Sequence, residues 1–316
     1  MRCLLTGSTG FVCSHLAQLL VDHGHTVTAF SRPINSRGEK RVEPFRDKVN
    51  WIFGDLADGC SGVCEGQDIV LHLAAKTFVD HSIKSPESFV RDNIIGTFNL
   101  LEDARLNRVK RFFLASTDEV LGQILEGQHD ERAPICPRNP YAATKAGAEA
   151  LAISYAHTYG LHTVITRCEN IYGPLQHPQK VFPTFVRALL NKQNLPVYGD
   201  GQHVRQWLWV DDAARAFEHL MVHPDVQPGE IIHIAGHQEL TNLELAERII
   251  WAFNPALTWQ EHIQYVPDHD IRPGHDRRYA LATAKINNLG WTARTNLGDG
   301  IAKAVRWYVE NKEWLQ

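Results

Sequence analysis

A chain of 316 residues is too long for one minimal domain, and its 44% hydrophobic and 22% charged residues give the ordinary balance of a globular protein. A formal net charge of −4 without long runs of one sign exerts no pull on nucleic acid, and no apolar run approaches the roughly 20 residues of a membrane span. The six cysteines (Cys3, Cys13, Cys60, Cys64, Cys136, Cys168) form no Cys-x-x-Cys pair or zinc-type cluster, which predicts free thiols, no metal, and a reducing, cytoplasmic setting without membrane partners.

In chain order, short apolar runs alternate with amphipathic stretches. Residues 3–5, 26–30, 68–73, 111–115 and 163–167 read as buried parallel strands, and 11–22, 88–106 and 141–159 carry apolar residues at helical spacing. Parallel strands joined by helical crossovers make a doubly wound α/β sheet of the Rossmann type, with its ligand crevice beyond the carboxyl ends of the strands. After about Pro174 the texture changes to short elements punctuated by Pro183, Pro196, Pro224, Pro228, Pro255, Pro267 and Pro273. The expectation is a nucleotide-binding core over 1–174 and a smaller substrate lobe over 175–316. One strand–helix pair of the core is allowed to return from the later half.

The first strand runs into Thr6-Gly7-Ser8-Thr9-Gly10-Phe11-Val12-Cys13, a glycine turn that opens a helix. Gly7 permits the tight turn and Gly10 a close backbone approach, while the free N–H groups from Phe11 and Val12 onwards offer a positive end to a pyrophosphate. Cys13 stands where a third glycine would let helix and strand pack closely, so its side chain should push the helix outward or be absorbed by a smaller neighbour. The second strand ends in Ser31-Arg32 rather than in an acidic residue. An Asp or Glu there would hold a ribose 2′-hydroxyl, whereas an arginine suits a 2′-phosphate, so Arg32 leans the expectation to NADP over NAD. Asp55 and Leu56 fit an adenine contact, and Leu73, Ala74 and Ala75 a small-residue strand end beneath the cofactor.

Tyr141 and Lys145 are one helical turn apart on one face. A free tyrosine with a pKa near 10 is a poor base, and a neighbouring cation should favour its phenolate. Before them, Thr117 ends a strand and can bind a reacting hydroxyl. Asp118 and Glu119 follow it directly. Plain hydride transfer needs neither carboxylate, but an elimination needs one group to remove a proton and another to protonate the departing hydroxyl. Adjacent carboxylates should repel, raising one pKa far enough for it to act as an acid.

These motifs, with His72-Leu73-Ala74-Ala75, Asp92-Asn93-Ile94-Ile95-Gly96-Thr97, Asn139-Pro140-Tyr141, Asn170-Ile171-Tyr172-Gly173-Pro174, Val204-Arg205-Gln206-Trp207 and Arg272-Pro273-Gly274-His275-Asp276, resemble the extended short-chain dehydrogenase/reductases nearly end to end. Within that family the chain is most similar to the dTDP-glucose 4,6-dehydratases. The resemblance implies that Thr117 and Tyr141 engage a sugar 4-hydroxyl, that Asp118 is the general acid and Glu119 the general base, and that Lys145 serves the cofactor ribose. It further implies that Asn170 and Arg205 hold a diphosphate with Arg272 nearby, that Tyr198 lies against the base, and that Thr77, Pro196 and Asn242 line the substrate site. The implied substrate is a dTDP- or UDP-hexose, and the implied assembly a homodimer through a four-helix bundle, since residues 88–106 and 141–159 carry apolar residues on more than one face. Leu121, Ile171 and Lys76 depart from the family pattern at the pocket. The alternatives are a 4-epimerase or decarboxylase, a dehydratase of altered regiochemistry, and a cofactor-sensing binding protein.

Overall fold

The computed structural model describes residues 1–267 and 272–316. Its first half is β1 (Arg2–Thr6), α1 (Phe11–Asp22), β2 (Thr26–Ser31), α2 (Ser36–Val42), β3 (Asn50–Phe53), β4 (Ile69–His72), α3 (Val79–Lys84), α4 (Pro86–Phe89), α5 (Gly96–Leu106), β5 (Arg111–Thr117), α6 (Pro140–Tyr159) and β6 (Thr163–Cys168). The second half continues with β7 (Asn170–Tyr172), α7 (Val181–Leu190), β8 (Leu195–Tyr198), β9 (Val204–Trp209), α8 (Val210–Val222) and β10 (Glu230–Ile234). It closes with β11 (Glu239–Thr241), α9 (Asn242–Phe253), β12 (Ile263–Val266), α10 (Ala284–Asn288) and α11 (Leu297–Glu310).

Seven strands form one parallel sheet in the order β10-β6-β5-β4-β1-β2-β3. Its central strands are buried on both faces, which explains why they read as continuous apolar runs rather than as alternating ones. On one face α1 and α8 close over Leu16, Leu20, Phe217 and Leu220; on the other, α5 and α6 bury Leu100, Leu101, Ala148 and Ala152. The later half of the chain thus contributes β10 and α8 to the core. The lobe is a separate apolar cluster in which α7, α9 and α11 pack around Tyr172, Phe182, Trp207 and Trp209. Its strands form a three-stranded sheet, β11-β9-β7, and a two-stranded one, β12-β8.

Two local outcomes differ from the sequence expectation. The helix expected over 88–106 begins at Pro86 and passes through a wide π-helical stretch, Val90–Ile95, before α5. Asn93 sits in that stretch, buried, with its amide bonded to the backbone N–H and carbonyl of Lys76 and to the Thr144 hydroxyl. A widened turn is a common way to aim a side chain inward from a helix. Cys13 does not push α1 away, because its thiol turns under the turn and donates to Thr6 O at 3.1 Å, with 2% of the residue exposed. Helix α6 agrees closely with expectation: Asn139 caps it by accepting from the Ala142 N–H at 2.8 Å, Pro140 occupies its first turn, and left-handed Gly160 ends it. All six cysteines are free thiols. Among the described residues no helix is long and apolar enough to cross a membrane, and no group of three or more His, Cys, Asp or Glu is arranged to hold a metal ion.

Candidate active site

Parallel strands bring their carboxyl ends to one edge, and the expected residues lie along it. Gly7 takes φ +75°, and a Cβ there would fall 2.9 Å from Ala74 Cα, so the first turn and the Leu73-Ala74-Ala75 segment are in backbone contact. Gly10 N–H bonds Gly7 O at 2.7 Å, and a Cβ on Gly10 would meet that same oxygen. This tight, side-chain-free cradle at the start of α1 fits a pyrophosphate. The Thr9 hydroxyl lies 3.0 Å from that of Ser31, which links the turn to the end of β2.

The Arg32 guanidinium is held between two carboxylates, Asp55 at 2.9 Å and Asp92 at 2.7 Å. Asp55 also accepts from the Ala57 N–H and from Arg91, and these bonds keep its carboxyl below the usual range despite its partial burial. Leu56 is buried beside it.

The strand end and helix carrying the proposed chemistry form one hydrogen-bonded set. Thr117 Oγ1 donates to Asp118 Oδ1 at 2.9 Å and accepts from the Glu119 N–H at 3.3 Å, with the Tyr141 phenol close by. Asn139, the cap of α6, donates to Glu119 Oε2 at 2.8 Å. Asp118 is 5% exposed, and burial, then the neighbouring Glu119 carboxylate, pushes its pKa up to about 7 against the pull of Thr117 and Arg205. The expected splitting of the carboxylate pair is therefore present, with Asp118 as the raised member.

The tyrosine–lysine pair behaves differently from the expectation. Burial, and then Glu119, push the Tyr141 hydroxyl well above its ordinary value, and Lys145 does not offset this. Burial lowers Lys145 itself to about 8, with Glu149 opposing, and its ammonium donates to Ala115 O at 2.6 Å. Two anions close to the phenol and a lysine committed to the strand leave Tyr141 neutral in the protein alone.

Of the residues expected at the substrate, Thr77 follows β4 and the others come from the later half of the chain. Thr77 O accepts from Lys180 Nζ at 3.2 Å; Arg272 pairs with Asp80 at 2.5 Å and lies over the Tyr198 ring. Asn170 opens β7 beside Trp207. Pro196 neighbours Tyr198 on β8, and Asn242 begins α9 with its N–H on His203 O. Arg205 is buried, and it donates to Val204 O at 2.7 Å and to Asp276 O at 2.9 Å, stacking on Tyr279. Its Nη1 and Nη2 are engaged by backbone carbonyls, which fix the guanidinium in place at the cleft.

Two residues escaped sequence reasoning. Lys180 lies against the Phe78 ring within electrostatic range of Glu119, Arg272 and Asp80, and burial lowers its pKa. Glu169 is buried one position beyond Cys168, which is in register with Thr117, so it stands beside Asp118; burial, then Asp118, raise its pKa well above the carboxylate range. A carboxylate directly after an apolar strand was the only signal for Glu169, and Lys180 had none.

The model of the family described as GDP-mannose 4,6 dehydratase matches residues 4–304. The chain belongs to the nucleotide-sugar 4,6-dehydratases of the extended short-chain dehydrogenase/reductase family. It is 42% identical to a dTDP-glucose 4,6-dehydratase of Streptomyces niveus over all of this chain and 95% of that one. The crystal structure of DesIV, a dTDP-glucose 4,6-dehydratase from Streptomyces venezuelae with NAD and TYD bound, superposes with a TM-score of 0.92 at 37% identity, covering 100% of this chain and 99% of that one. A UDP-glucuronic acid 4-epimerase from Bacillus cereus reaches a TM-score of 0.91 at 24% identity, covering 98% of this chain and 100% of its own, which shows the shared fold alone. The fold alone does not separate elimination from epimerisation.

Proposed function

We propose that this dehydratase converts a dTDP- or UDP-hexose to the 4-keto-6-deoxy sugar with the residues gathered at the end of β5 and the start of α6. The observation that carries the reading is a buried carboxyl, Asp118, that accepts from Thr117, follows the strand end directly before Glu119 and lies near the Tyr141 phenol, with burial raising its pKa. A bound nicotinamide supplies the hydride acceptor and, later, the hydride donor. Thr117 and Tyr141 orient the sugar 4-hydroxyl, and Tyr141 receives its proton as the phenolic proton passes through Thr117 towards Asp118. Glu119, steadied by Asn139, removes the C5 proton made acidic by the 4-ketone. Asp118 protonates the departing 6-hydroxyl, and Glu119 returns its proton to C5 when C6 receives the hydride. Lys145 would hold the ribose of a bound nicotinamide, and Lys180, Arg205 and Arg272 would supply positive charge for a diphosphate, with Asn170, Thr77, Tyr198, Pro196 and Asn242 towards the nucleotide and sugar.

The preferred cofactor in this reading is NAD. Arg32 suggested NADP from the sequence, but its guanidinium is already shared by Asp55 and Asp92, and a 2′-phosphate placed there would meet both carboxylates. The assembly in this reading is a homodimer. Val90, Ile95, Phe98 and Leu106, all on or beside α5, leave large apolar side chains exposed, as does Tyr159 on α6. Free cysteines and the lack of a membrane-spanning helix among the described residues suit the cytoplasm.

The test is rapid mixing of the nicotinamide-loaded protein with dTDP- and UDP-glucose, followed at the reduced-nicotinamide absorbance and by mass spectrometry. Glu119→Gln should reduce the cofactor yet stall before losing water, slowed about 10²–10⁴-fold in elimination. Dehydration at the wild-type rate would remove Glu119 from the mechanism.

A further inference from the structure

Residues 173–176 are the crossover from β7 towards α7, and side chains from four different elements take their four carbonyls in succession. Tyr308 of α11 donates to Gly173 O at 2.8 Å, and His15 Nε2 of α1 lies 3.2 Å from Pro174 O. Arg41 of α2 gives Nε and Nη2 to Leu175 O at 3.1 and 2.8 Å, and Trp314 Nε1 donates to Gln176 O at 2.8 Å. Leu175 is held at φ +67°, a left-handed conformation unusual for a residue with a side chain, and it occurs where Arg41 places two bonds on one oxygen.

Arg41 does more than fasten this crossover. Its remaining nitrogen, Nη1, donates to Thr9 O at 3.1 Å, inside the glycine turn that cradles a pyrophosphate. The guanidinium is 9% exposed and lies 5.1 Å over the Trp314 ring, and burial lowers its pKa to about 10. Among the described residues no carboxylate pairs with it. A buried cation without a counter-ion costs free energy, so its retention calls for a geometric return.

We propose that Arg41 is a positioning residue for the dinucleotide-binding turn, and that Trp314 in turn positions Arg41. Arg41 ties the turn to the crossover, and Trp314 anchors both the crossover, through Gln176 O, and the plane of the guanidinium, through stacking. Neither side chain belongs to the glycine motif, and no feature of their sequence surroundings points to it. The inference rests on Gly7–Gly10 being the dinucleotide site.

The experiment measures NAD release from loaded protein after rapid gel filtration, alongside the melting temperature of the NAD-free protein. Arg41→Met keeps an unbranched apolar stem but removes every donor, and should speed release at least about tenfold, the scale of one lost hydrogen bond to a charged group. Trp314→Phe keeps a ring but loses the N–H, and should speed release by a smaller factor. Arg41→Lys, which keeps the charge but has its donors on a single nitrogen, should fall between wild type and Arg41→Met. A merely structural role would lower the melting temperature and leave release from the folded protein unchanged; that result, or release within twofold of wild type in both Arg41→Met and Trp314→Phe, overturns the proposal. Should Arg41→Met fail to fold, Trp314→Phe decides alone. A wild-type protein that never binds NAD would strike instead at the dehydratase reading.

Discussion

Asp118→Asn should make the protein more stable while making it a worse catalyst, and the gain should depend on pH in a defined way. In the folded chain the Asp118 carboxyl is raised from an ordinary value of 3.8 to about 7, chiefly by burial and then by Glu119. A carboxyl whose folded pKa exceeds its unfolded pKa makes the native state bind the proton more tightly, so stability falls as pH rises between the two values. At about 1.4 kcal/mol per unit, the three-unit separation amounts to about 4 kcal/mol once the pH is above 7. Near pH 5.5 about half of that cost, some 2 kcal/mol, has already been incurred, and near pH 4 almost none. Asparagine keeps the shape and an oxygen for the Thr117 hydroxyl but carries no charge, so it avoids the cost. Urea unfolding of wild type and Asp118→Asn, with cofactor saturating in both, should therefore show an advantage for the variant that widens by about 2 kcal/mol between pH 5.5 and 8.5. A stability difference that stays constant across that range would refute the reasoning, because a charge-independent effect of the substitution has no pH dependence.

The rate should rise as Asp118 loses its proton through about 7 and becomes able to accept the phenolic proton, and should fall as the Lys145 charge is lost through about 8; a kcat profile flat from pH 6 to 9.5 would contradict both assignments. Wild-type protein should bind NAD at least about tenfold more tightly than NADP, because a 2′-phosphate meets Asp55 and Asp92 as well as Arg32. Titration by fluorescence quenching checks this, and tighter NADP binding would restore the reading taken from Arg32 alone. Phe98→Glu, placing a charge on an exposed apolar face of α5, should convert a dimer to a monomer by light scattering at micromolar concentration, since burying such a ring is worth about 1.5–3 kcal/mol per protomer.

The parts of this architecture that rest on local chemistry were legible in the chain. The glycine turn, the Asn139-Pro140 start and Gly160 end of α6, and the i,i+4 placement of Tyr141 and Lys145 follow from neighbouring residues, and the structure has them where the sequence puts them. Parallel strands were visible because both faces are buried. What escaped depends on residues far apart in the chain. The wide stretch at Val90–Ile95 follows from Asn93 reaching Lys76 and Thr144, and helical periodicity has no term for that. Arg32 looked like a phosphate ligand until Asp55 and Asp92 arrived beside it from two other segments. The ordinary rule that a lysine one turn away favours a phenolate failed because burial acts on both groups and the nearest charges to Tyr141 are negative.

The place of β10 has a practical consequence for anyone wishing to divide this chain. Strand β10 pairs along the full length of β6, and α8 lies against α1, although both belong to the later half. A fragment ending near Pro174 would expose the hydrogen-bonding edge of β6 and uncover the apolar surface that Phe217, Leu220, Ile232 and Ile234 now close. Such an edge invites pairing with other chains, so the fragment should aggregate rather than fold as an independent nucleotide binder. Grafting a foreign lobe to change the sugar would have to be done by replacing segments around β8, β9 and α9 while leaving α8 and β10 in place. Core and lobe are threaded through one another, and a swap at any single point in the chain would break the sheet.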